Sequence, residues 1–97
     1  MNECPNEEDL EKIRKWDCIG NKNIQELLNF LQDIYNTDYG VFELTGKRIK
    51  KLFLATGGWS GNEDIISALQ KTMFWMIFWE KSERGGAYYF RIYPIKE

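Results

Sequence analysis

The chain has 97 residues, 43% of them hydrophobic, and carries 13 Lys and Arg against 15 Asp and Glu for a net charge of −2. That length suits one domain spanning residues 1–97, and the apolar content and mixed charges exclude intrinsic disorder. The near-neutral balance argues against a protein that wraps a nucleic-acid backbone, which needs a dense basic surface.

Residues 1–4 are expected to be flexible. Pro5 followed by Asn6, Glu7, Glu8 and Asp9 puts proline and acids where a helix start favours them. Leu10, Ile13 and Trp16 continue it as a short apolar stripe. Asn23 with Glu26 three residues later has capping-box spacing. It is read as opening a second helix, whose Ile24, Leu27, Leu28, Leu31, Ile34 and Tyr35 recur at three- and four-residue intervals. Asn36 to Gly40 then reads as a stop and turn.

Beyond Gly40 the period changes to two. Val41 to Thr45 forms a strand, Gly46-Lys47 a tight connection and Ile49 to Ala55 a second strand, together a hairpin. The segment Thr56-Gly57-Gly58-Trp59-Ser60-Gly61-Asn62-Glu63 follows, and Ser60 with Glu63 has the spacing of another capping box, predicting a helix from about Gly61 to Lys71. Met73 to Trp79 is apolar on both alternating faces and is read as a central strand on its aromatic and β-branched content, although Leu69, Met73, Met76 and Ile77 also keep helical spacing. Ser82 to Gly86 turns the chain into a last strand, Ala87 to Tyr93. The expected fold is α+β, in the order α-α-β-β-α-β-β, with an antiparallel sheet of about four strands and the helices on one face.

Candidate chemistry is sparse. Gly58-Trp59-Ser60 makes the first half of a G-x-S-x-G nucleophile elbow, but Asn62 stands at the closing position and the chain contains no histidine to take the serine's proton. Ser60 is therefore expected to cap a helix. Cys4 and Cys18, without histidine partners, are read as free thiols, and neither a metal nor a cofactor is expected. The N-terminus lacks a basic region followed by an apolar one, and the longest apolar run is far below the roughly 20 residues of a membrane-spanning helix. A cytoplasmic protein without membrane contact is the expectation.

Two surfaces remain. One is the glycine loop, where Trp59 either lies on the core or anchors a partner, and where Gly57, Gly58, Ser60, Gly61 and Asn62 alternatively present amides to an anion or small ligand at a helix N-terminus. The other is the last hairpin, where alternation sets Ala87, Tyr89, Arg91 and Tyr93 on one face. With Trp79 and Arg84 they make an aromatic, basic patch suited to a protein partner and less so to single-stranded nucleic acid. Closure of this open face by a homodimer is a further expectation.

The run from Thr56 to Ile66, together with Phe74-Trp75 and Lys81 to Gly86, resembles a pattern in small uncharacterised proteins of phages, prophages and related mobile elements. The resemblance covers Leu54 to Phe90 and implies a genomic setting, with no catalytic or binding residue. The function expected is that of a small non-enzymatic interaction protein, binding a macromolecule through Trp59 and the aromatic sheet face.

Overall fold

The computed structural model describes residues 5–95, so that the expectations for residues 1–4, including the free thiol of Cys4, lie outside the described residues. Its elements are α1 (Glu7–Arg14), α2 (Asn21–Ile34), β1 (Val41–Thr45), β2 (Lys50–Ala55), α3 (Ser60–Leu69), α4 (Met73–Phe78), β3 (Trp79–Glu83) and β4 (Ala87–Ile92). The α+β class and the four-stranded antiparallel sheet are as the sequence indicates, with one more helix than expected.

α1 starts on a capping box: the Asn6 side chain accepts from the Asp9 amide at 2.8 Å and Asp9 reciprocates. α2 opens two residues earlier than its apparent box, with Gly20 at the cap and no side-chain cap bond. A tertiary contact sets that start. The Asn21 side chain exchanges two hydrogen bonds with the backbone of Ile95, at 2.7 and 3.1 Å. Asn23, inside the first turn, instead donates to the Ile19 carbonyl and accepts from the Trp16 indole through its own backbone carbonyl.

β1 and β2 form the expected hairpin, β2 pairs with β4, and β4 pairs with β3, giving the order β1-β2-β4-β3. Leu52 and Leu54 on β2 sit opposite Phe90 and Tyr88 on β4. These residues face a cluster shared with Leu10 and Ile13, with Leu27, Leu28 and Leu31, with Ile65 and Leu69, and with Phe74 and Phe78. Burying each such side chain contributes about 1.5–3 kcal/mol. All four helices thus contribute to one core against one face of the sheet.

Met73 to Trp79 departs most from expectation. Thr72, buried at 4% exposure, accepts from the Trp75 amide at 3.2 Å and donates its hydroxyl proton to the Leu69 carbonyl at 2.6 Å, ending α3 and capping α4 at once. With the helix begun, Phe74 and Phe78 lie one turn apart with ring centres 5.2 Å from each other, and Phe74 packs on Phe90 at 5.5 Å. The strand begins only at Trp79, and every residue of β3 is exposed.

Candidate interaction surfaces

The glycine loop turns out to be a structural junction. Asn62 is completely buried and its side-chain amide works as a three-way clamp: its oxygen accepts from the Asn36 amide at 2.9 Å, and its nitrogen donates to the carbonyls of Asn36 at 3.0 Å and Thr56 at 3.3 Å. Thr56, also buried, donates its amide to Gly86 at 3.0 Å and accepts from the Trp59 amide through its carbonyl at 3.2 Å. The end of α2, the start of α3 and the β3–β4 turn are thereby tied to the end of β2. Gly57 has φ +65°, and a Cβ there meets the Tyr39 carbonyl oxygen at 1.8 Å, so only glycine lets these backbones approach.

Trp59 is half-buried. Its indole lies over Gly61, where an added Cβ meets the ring at 2.3 Å, and stacks on Tyr39 with centres 6.1 Å apart. Trp59, in extended conformation, is the N-cap of α3, and its backbone carbonyl accepts from the Glu63 amide at 3.1 Å. Ser60 is the first helical residue and exposed, so the expected serine cap is absent. Packing of the indole fixes the cap one residue early. Of the residues considered for a small ligand, Gly57 and Asn62 are engaged in closing the junction, Gly61 lies beneath the indole, Gly58 donates its amide to the Thr56 hydroxyl at 3.3 Å, and Ser60 is exposed.

The open sheet face carries Tyr89 and Arg91 as alternation requires, opposite Phe53 and Lys51. Phe53 and Tyr89 pack with ring centres 4.9 Å apart at a tilt of 40°, and Lys81 sits 4.6 Å above the Tyr89 ring. The Tyr89 hydroxyl donates to Glu83 at 2.6 Å, and that bond to a carboxylate raises its pKa. The tyrosine's ring and hydroxyl are thus already engaged within the molecule. Arg84 is exposed in the β3–β4 turn.

A third surface went unread in the sequence. On α4, Met73 and Met76 lie away from Phe74 and Phe78 and are 57% and 76% exposed, with half-buried Ile77 between Met73 and the core. Met73 and Ile77 join the segment Trp16 to Gly20, which includes Asp17, and Ile95 around a groove of about 550 Å³. Ile19, 80% exposed, projects beside it. Tyr93 reaches the Ile77 carbonyl with its hydroxyl at 3.5 Å, and Trp79, stacked on Trp75 at 6.3 Å, borders the far end of α4. Two of the aromatic residues singled out for partner binding, Trp79 and Tyr93, therefore flank α4, while Tyr89 and Arg91 lie on the open sheet face and Trp59 at the junction. Helical spacing of Met73, Met76 and Ile77 was the available signal; reading the segment as a strand split them between two faces.

The groove holds no activated nucleophile. Cys18 is a free thiol, and burial pushes its pKa up, keeping it protonated and unreactive at neutral pH. Among the described residues no three His, Cys, Asp or Glu side chains gather as a metal site, and no helix is long and apolar enough to cross a membrane. No family model, curated protein or solved structure matches the chain.

Proposed function

We propose that this is a small non-enzymatic interaction protein whose binding surface is the apolar face around α4, with a protein as its partner. One observation carries the reading: Ile19 and Met73, 80% and 57% exposed, line a mostly apolar groove whose one carboxylate is Asp17, and Met76, 76% exposed, stands on the same short helix as Met73. Monomeric proteins seldom leave such residues contiguous unless they meet another surface. Methionine suits the role because its unbranched, polarisable side chain adapts to a partner's shape. Trp79 and Tyr93 add aromatic contact area at the border.

The glycine loop takes a supporting role in this proposal, holding the scaffold on which α4 is displayed. Nucleic acid is disfavoured, since the aromatic pair on the open sheet face is flanked by Glu43, Glu80 and Glu83 as well as by Lys51, Lys81 and Arg91. A phage or mobile-element origin belongs to the same proposal and rests on the resemblance of the loop segment. The test is site-specific photocrosslinking in cells, with a photoreactive residue at Met76 and, for comparison, at Arg91. Expected is a protein adduct, of whatever identity, from position 76 and little from position 91. Absence of any protein adduct at 76 sinks the reading.

A further inference from the structure

We infer that this protein has a second binding site, a recess between α2 and the end of β4 that takes a small organic oxyanion, a phosphate or carboxylate carried on an apolar body. The recess encloses about 290 Å³ and shares no lining residue with the α4 groove. That volume lies near the lower bound of about 300 Å³ for small-molecule pockets and suits a compact ligand. Its floor is apolar: Ile24 and Leu28 stand one turn apart on α2, and Ile92 closes in from β4, all three buried. Its charged lining residues are Arg48, in the β1–β2 connection, and Lys50, the first residue of β2, and no carboxylate side chain lines it with them.

This positive charge is local, since the whole chain carries −2. Other recesses are compensated. On the open sheet face Glu43 and Glu80 accompany Lys51, and beside α1 Asp17 and Glu26 accompany Lys12 and Lys15. Among the described residues, the ion pairs of cations with carboxylates involve Arg14, Lys15 and Lys81, not Arg48 or Lys50. Lys50 is instead positioned by neutral groups. Its ammonium donates to the Gln25 side-chain oxygen, the Gln25 amide donates to Asn29 at 3.1 Å, and its backbone lies opposite Ile92. An ammonium has three donors, so the bond to an uncharged oxygen leaves the charge and further donors for an anion. Lys50 is half-buried, and an oxyanion meeting it there is attracted more strongly than in open water. Arg48 supplies a planar fork that grips two oxygens of a phosphate or carboxylate at once. The apolar floor beneath both cations adds contact for the body of the ligand, which favours an organic anion over inorganic phosphate.

Amide chemical-shift titration of the full chain tests the site, with phenyl phosphate, benzoate, inorganic phosphate and uncharged benzyl alcohol as probes. Phenyl phosphate or benzoate is expected to shift Ile24, Gln25, Leu28 and Ile92 saturably, and the tighter of the two names the oxyanion. Inorganic phosphate and benzyl alcohol, each lacking one half of the ligand, are expected to bind at least about tenfold more weakly. Arg48→Ala, at an exposed position, and Lys50→Met, which keeps the apolar stem, are each expected to weaken binding about tenfold, as loss of a charge-assisted bond does. Lys47→Ala in the same connection is expected to leave it unchanged. An absence of saturable shifts at these residues with either organic anion at about 10 mM, tenfold above a millimolar dissociation constant, overturns the inference. So does benzyl alcohol binding as well as the anions, binding that survives both Arg48→Ala and Lys50→Met, or shifts confined to Gly58 and Ser60.

Discussion

At the scale of single residues, Asn62 has the most consequences for its size. A buried amide is stable only when its partners are supplied, and Asn62 meets Asn36 twice and Thr56 once. Removing it takes the acceptor from the Asn36 amide, at about 1–3 kcal/mol for a buried donor that loses its partner, while the Asn36 and Thr56 carbonyls each lose one of two donors and keep the Gly40 and Trp59 amides. Asn62→Ala is therefore expected to lower the unfolding free energy by about 2–4 kcal/mol in urea titration, a large part of the roughly 5–15 kcal/mol of a natural domain. Asn62→Asp is expected to fare no better at neutral pH. A carboxylate still accepts from the Asn36 amide, but it faces two carbonyl oxygens with no proton to donate.

At the scale of elements, α4 shows how a short helix is decided by its surroundings. Its six residues, Met-Phe-Trp-Met-Ile-Phe, have modest helix propensity, and such a helix is too short to persist alone. Two contacts hold it: the Thr72 cap and the burial of Phe74 on Phe90 and of Phe78 on Phe74 and Tyr93. Thr72→Ala removes the cap and the bond to Leu69 together and is expected to cost about 1–2 kcal/mol, read as a drop in thermal midpoint. Thr72→Ser keeps both bonds and is expected to restore most of the loss. The alanine variant is also expected to give less of the protein adduct at position 76, because the display of Met73 and Met76 depends on the helix.

At the scale of the whole molecule, Tyr35 links the end of α2 to the sheet. It is 1% exposed and its hydroxyl donates to the Ala55 carbonyl at 2.7 Å. Burial pushes its pKa well above that of a free tyrosine, with the neighbouring Tyr88 adding to the shift. The folded state thus favours the neutral phenol. Its contribution to stability is fully present below the unfolded value of about 10 and declines as pH rises above that value toward the raised folded value. Wild type is expected to lose stability steeply above pH 10 in urea unfolding. Tyr35→Phe is expected to be about 1 kcal/mol less stable near pH 8 and to converge on wild type as the solution becomes alkaline. A constant gap through pH 11 contradicts the assignment.

Periodicity in the chain was sufficient for α2, for the β1–β2 hairpin, for β4 and for the core positions along them, because those segments repeat an apolar pattern that only one secondary structure can bury. Composition and the lack of histidine likewise set the class of chemistry to expect. Three features were decided by contacts distant in sequence. α2 begins at Asn21 because Ile95 meets it, α3 is capped by Trp59 because its indole rests on Gly61 and Tyr39, and Met73 to Phe78 coils because Phe90 receives Phe74 and Trp75 while Tyr93 receives Phe78. The glycine-tryptophan loop was visible as unusual, but spacing cannot distinguish a backbone crossing from a ligand cradle, since both need glycine. The apolar surface around α4 was hidden for a related reason: a run apolar on every side does not reveal which residues face water until the fold has buried the others.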